Sequence, residues 1–247
     1  GGKVVRQIEK KPSKGLGTIS WDLRYSTRDA IDLSKPAFYN PFSGGSQGAL
    51  AAPGTYNVAM YLNKDGEIIE LHPKVAFQVK ALDGAVMPAK DRGMKLAFQE
   101  KVNVLRAEME TASQMLSEMN KKVRYMKEAI KLVDAPMGNL QTPLLELEKE
   151  LREVSEQMYG DRLKGRLDID QPVTPAQRIG SVAWEQGNST AEPTKTHIDS
   201  YEIASGEFRP IQDKVKKLYT EDIVEMEEML KKIGAPYTPG RVLIEDH

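Results

Sequence analysis

The chain has 247 residues, of which 40% are hydrophobic and 29% charged, with 35 basic side chains set against 36 acidic ones and no cysteine. That length suits about two domains. The charge balance gives no electrostatic case for nucleic acid or an anionic membrane, no stretch reaches the ~18 consecutive apolar residues of a membrane span, and the lack of cysteine excludes disulfides and thiolate metal sites.

Up to about residue 90 the sequence carries β-branched and aromatic runs broken by Gly, Pro and Ser. Gly1-Gly2-Lys3 leads straight into the first such run, with no signal-peptide pattern. Strand candidates lie at 4–8, 18–23, 55–62, 67–71 and 75–79. Tyr56, Val58, Met60 and Leu62 alternate with Asn57, Ala59 and Tyr61, the pattern of a strand with one buried face. Asn63-Lys64-Asp65-Gly66 follows, and Asp-Gly is a strong hairpin-turn signal. Residues 26–54 are rich in Ser, Gly, Pro and Ala and predict a long surface excursion. Within them Gly44-Gly45-Ser46-Gln47-Gly48 lacks the lysine and strand–helix setting of a phosphate loop, and reads as flexible linker. Strands at this spacing predict a small immunoglobulin-like, fibronectin III-like β-sandwich over residues 1–88.

From residue 89 the composition turns to Glu, Lys, Leu and Met at helical spacing, predicting a helical bundle over 89–247. Phe98, Val102, Leu105, Met109, Ala112, Leu116, Met119, Val123, Met126, Ile130 and Val133 recur four, three, four, three apart, on one stripe of a helix over 94–133. Burying such side chains is worth roughly 1.5–3 kcal/mol each, so the stripe demands partners. A second stripe runs through Leu140, Leu144, Leu147, Leu151, Val154 and Met158, and residues 161–173 read as a connector. Thr174-Pro175 opens a third helix carrying Ile179, Val182, Ala183 and Trp184. The fourth carries His197, Tyr201, Ala204, Phe208, Ile211, Val215 and Leu218. It then skips a residue before Ile223, Met226, Leu230 and Ile233, where the seam should rotate. Pro210 should kink or split it. The expected architecture is thus two-domain, β then α, the second part an elongated antiparallel bundle of about four helices.

Three groups of residues give the N-terminal part a family likeness. They are Gly2-Lys3-Val4-Val5-Arg6, Gly15-Leu16-Gly17-Thr18-Ile19-Ser20-Trp21-Asp22 and Pro53-Gly54-Thr55-Tyr56-Asn57-Val58. In this order they resemble the Ig-like module that follows the β-propeller in bacterial secreted BNR-repeat or sortilin-like glycosyl hydrolases. A similar layout occurs in flagellar hook-capping proteins. Arg178-Ile179-Gly180-Ser181-Val182-Ala183-Trp184 and Gly234-Ala235-Pro236-Tyr237-Thr238-Pro239-Gly240-Arg241 look like the closing region of the same propeller proteins. The resemblance implies framework roles for Trp21, Asp22, Gly54, Tyr56 and Trp184. It also implies a secreted, periplasmic or cell-surface setting and a propeller domain of the same polypeptide as partner. The Asp-box repeats that define the propeller are not in this sequence, so a family glycosidase activity would lie outside it.

No catalytic constellation stands out. His72, His197 and His247 are scattered, and the helical seams carry no carboxylate set at metal-ligand spacing, so neither a metal nor a cofactor is expected. Glu221, Asp222, Glu225, Glu227 and Glu228 read as a solvated helix face. Glycoside hydrolysis needs two carboxylates facing across a cleft, and no motif singles out a pair. The sequence therefore points to a non-catalytic accessory region that braces a propeller or presents a surface to a protein or glycan. Two alternatives are a carbohydrate-binding module using Phe38, Tyr39 and Phe42, or a region completing a site on the propeller.

Overall fold

A computed structural model of the chain describes residues 2–31, 47–82, 84, 87–133 and 138–241, without the side chains of 138 and 139. The chain divides into two compact units. One comprises Gly1–Arg28, Leu33–Asn103 and Ala183–Thr194; the other comprises Asp29–Asp32, Val104–Val182 and Lys195–His247.

The first unit holds the β structure, and it is not the expected sandwich. Among the described residues the only sheet is a two-stranded antiparallel hairpin, β1 (Gly54–Lys64) and β2 (Glu67–Val79). The turn follows the Asp-Gly signal: Asp65 (φ 54°) and Gly66 (φ 90°) both occupy the left-handed region, as a type I′ hairpin turn requires. The Gly66 N–H donates to Asn63 Oδ1 (3.2 Å). The segments read as separate strands at 67–71 and 75–79 are one strand, broken in register opposite Ala59 and again between Met60 and Tyr61.

The other two strand candidates form no ladder, for physical reasons visible in the chain. Residues 18–23 run into a turn at Leu23 (φ 56°), fixed by the Arg24 N–H donating to Asp22 Oδ1 (3.1 Å). Residues 4–8 leave Val4 76% exposed, and the Val5 carbonyl accepts from Ser26 N–H (3.1 Å). Local β propensity was present there; an inner face to bury was not. A single antiparallel bridge joins Arg24 to Leu50, with Tyr25 N–H to Ala49 O (2.9 Å) and Ala51 N–H to Leu23 O (2.7 Å). Gly48, read as linker, is instead buried at this close approach. A Cβ there would lie 1.9 Å from the Tyr25 carbonyl oxygen.

The rest is helical: α1 (Arg92–Ile130), α2 (Gly138–Tyr159), α3 (Arg162–Arg166), α4 (Pro175–Asn188), α5 (Lys195–Lys217) and α6 (Ile223–Lys232). In the second unit every α1 seam residue from Val102's successor Leu105 to Ile130 is buried, Met119 and Met126 completely. The α2 seam is buried throughout, with Leu151, Val154 and Met158 fully enclosed. Lys127 pairs with Glu148 (2.8 Å), Lys122 with Glu227 (2.8 Å) and Lys214 with Glu150 (3.6 Å), tying α1, α2, α5 and α6 at the edges of this core.

Of the expectations for the last rod, the split at Pro210 and the rotated seam are not found. The helix runs on through Pro210, and Pro210 and Gly206, whose carbonyl loses its usual donor, both lie on the exposed side. The seam also does not rotate. Leu218–Asp222 form one π turn between α5 and α6, which absorbs the extra residue. Phe208, Ile211, Val215, Leu218, Ile223, Met226 and Leu230 consequently all stay buried.

Candidate functional site

The hairpin is amphipathic. Cross-strand pairing places Tyr56 opposite Phe77, Val58 opposite Val75, Met60 opposite His72 and Leu62 opposite Ile69. Paired residues share a face, and alternation along β1 puts these four pairs on the same one, the two register breaks taking up the odd spacing of Val75, His72 and Ile69 on β2. The other face carries Thr55–Gln78, Asn57–Ala76, Tyr61–Glu70 and Asn63–Ile68.

One end of the apolar face is covered. The Trp21 ring packs against Tyr56 (centroids 5.5 Å) and edge-on to Phe77 (6.1 Å, 84°), and Tyr56 and Phe77 lie 6.1 Å apart. Trp21 Nε1 donates to the Arg24 carbonyl (2.9 Å) and Tyr56 Oη to the Ala52 carbonyl (2.8 Å), so both polar tips are satisfied. Burial, with the hydrogen-bonding and Coulomb interaction with Tyr25 adding to it, pushes the Tyr56 phenol up to about 12. The aromatic cluster is a wedge that orients the hairpin. Beyond it the same face is bare: Val58 is 54% exposed, Met60 53% and Val75 47%.

A second polar cluster fixes the start of α1. Asp91 caps the helix through the Met94 N–H (2.9 Å), and Glu192 Oε1 accepts from the Lys90 and Asp91 N–H groups (2.8 and 3.1 Å). Gln99 Nε2 donates to the Gln186 carbonyl (2.5 Å). Lys95, 9% exposed, donates its Nζ to the Ser189 carbonyl, and burial lowers its pKa. A desolvated amine can serve as a nucleophile. This one is committed to a carbonyl of the 189–194 loop and acts as a clasp.

In the second unit a concavity of about 390 Å³ opens where α2, α3 and α4 meet their connecting loops. Tyr159, Asp168, Ile169, Asp170, Pro172 and Gln177 are among the residues that line it. The backbone around it is heavily braced. Gln171 accepts from Asp161 N–H (2.7 Å) and donates to Asp161 O (3.0 Å), while Asp161 Oδ1 caps α3 through Leu163 and Lys164 (2.8 and 3.2 Å). Thr174 and Gln177 form a reciprocal capping box at α4 (3.0 and 3.3 Å). Residues 161–173 are thus more than the plain connector that their composition predicts. Asp161 and the Thr174-to-Gln177 spacing were legible as cap signals, whereas the Gln171 clamp spans ten residues and was not.

The other singled-out residues fall as follows. Phe38, Tyr39 and Phe42 lie outside the described residues. Gly54 opens β1. Trp184, expected on the seam, is 70% exposed: two residues past buried Val182 it is turned about 200° around α4, while Gln186 takes the buried position. Glu227 and Asp222 of the acidic run pair with Lys122 (2.8 Å) and Lys217 (3.5 Å). Among the described residues no three His, Asp or Glu side chains form a group able to hold a metal ion, and no helix is long and apolar enough to cross a membrane. No family model, curated protein or solved structure matches the chain.

Proposed function

We propose that this chain is a non-catalytic docking region whose working surface is the bare half of the hairpin's apolar face. The observation that carries the reading is the row Val58, Met60 and Val75, about half exposed on one face of a strand pair whose opposite face is mixed, with Thr55, Gln78, Asn57 and Glu70 beside Tyr61 and Ile68. Two isolated strands are marginal in water, and a contiguous exposed apolar face marks an interaction surface. The family likeness supplies the first partner to test, a propeller domain in a secreted or cell-surface protein.

A photo-crosslinking residue at Met60, compared with one at Asn57 on the opposite face, tests this in cells that express the protein. The expected result is one discrete protein adduct from position 60 and none from 57. Equal adducts from both positions, or none from position 60, would overturn it.

A further inference from the structure

The two edges of the hairpin are built differently. From that difference we infer that β1 pairs antiparallel with β1 of a second copy of this chain, giving a two-fold dimer with a four-stranded sheet. The inference rests on the backbone edge of β1 and stands apart from the docking reading, which rests on the apolar face. Among the described residues, β1 has no backbone hydrogen-bond partner outside β2. Its outer N–H and C=O groups are therefore an open template for another strand.

Sheet edges are ordinarily guarded against such pairing by proline, charge or bulges. β2 carries all three: Pro73, the charged Glu67, Glu70 and Lys74, and both register shifts. Each shift adds a residue to β2. Val58 to Met60 is two steps against three from Val75 to His72, and Met60 to Tyr61 is one step against two from His72 to Glu70. β1 has none of these guards. Its 11 residues keep a regular pleat, contain no proline and hold a single charge, Lys64, at the end. Residues 56–62 are uncharged, with strong strand formers at Tyr56, Val58 and Tyr61.

A second copy fits this edge because β1 is complementary to itself. A two-fold axis at Ala59 sets Val58 opposite Met60 of the second copy and Tyr56 opposite its Leu62, apolar against apolar on one face. On the other face Asn57 meets Tyr61 and Thr55 meets Asn63, and at the ends Lys64 meets Gly54, so no like charges oppose. The pairing aligns all 11 residues of the strand. It also extends the bare apolar row across the axis, with the Trp21 wedge of each copy at the far ends. A two-stranded sheet is marginal in water, and added strands with an apolar face remedy that. With both β1 edges used and both β2 edges guarded, the assembly closes at two chains instead of growing into a filament.

Sedimentation velocity of the full chain between about 1 and 200 µM tests this, since a micromolar dissociation constant crosses that window. The expected result is monomer at the low end, dimer at the high end and no larger species. Ala59→Lys sets two like charges face to face on the axis, and should weaken the dimer at least about tenfold with far-UV circular dichroism unchanged. The chain has no cysteine, so single introduced thiols report the register. Directly opposed residues hold their Cβ atoms ~4.5–5.5 Å apart, so Ala59→Cys should close a disulfide to its copy under oxidised glutathione. Asn63→Cys should not, because its register position lies about 27 Å along the strand from the second thiol. If Ala59→Lys unfolds, the cysteine pair carries the comparison. A copy-to-copy adduct has twice the mass of the chain, which sets it apart from an adduct to the docking partner. Monomer at every concentration, a dimer indifferent to Ala59→Lys, equal disulfide yields at both positions, or species growing beyond two chains would each overturn the pairing.

Discussion

Gly48 shows how a single residue acts when backbones meet. The Arg24–Leu50 bridge brings the Tyr25 carbonyl within 1.9 Å of where a Cβ would stand, and a carbonyl cannot swing aside as a side chain can. Gly48→Ala should therefore cost about 1–3 kcal/mol in urea unfolding, the usual penalty for forced overpacking. Tyr56 makes a different prediction. Its phenol titrates near 10 in an unfolded chain and about 12 here, so between those values the folded state holds the proton that the unfolded state has lost. The corresponding stability is whole below pH 10 and disappears as pH rises through 12. Unfolding midpoints measured across that window should fall more steeply for the wild type than for Tyr56→Phe; parallel curves would deny the phenol this role. Neither residue's part was readable beforehand. Gly48 has the sequence signature of a linker because its partner, Tyr25, lies across a chain excursion, and Trp184 that of core because it is apolar two residues past Val182, where a helix has turned about 200°.

At the level of elements, the seams were legible because four–three spacing is a local property that any long helix must bury. The same spacing exposed the irregularity at Leu218, although its outcome was not a rotated seam. A five-residue step matches one π turn, so the helix takes up the insertion in its backbone and keeps Leu218 and Ile223 facing the same core. Deleting exposed Thr220 should return this stretch to plain α-helix with the seam intact. The expected result is unchanged far-UV circular dichroism and a stability within about 1 kcal/mol of wild type or above it. A large loss of stability would mean that the π turn itself is required. The strands were harder to read because a strand is completed only by a neighbour: 54–64 and 67–79 found each other through a tight turn, whereas 4–8 and 18–23 found none.

Across the whole molecule the two kinds of surface are handled in opposite ways. The helical seams bury their apolar side chains almost completely, and the polar clusters around Lys95 and Gln171 are consumed by backbone hydrogen bonds. The hairpin keeps a half-exposed apolar row, beyond the point where Trp21 stops. Residues kept for a partner contribute little to the stability of the free chain. Urea unfolding of the triple variant Val58→Thr, Met60→Thr, Val75→Thr, which retains β propensity while removing apolar surface, puts that directly to measurement. The account predicts a change of no more than about 0.5 kcal/mol, the ordinary range for surface positions. A loss of about 2 kcal/mol or more for these residues together would show that the face belongs to the chain's own core and would contradict it.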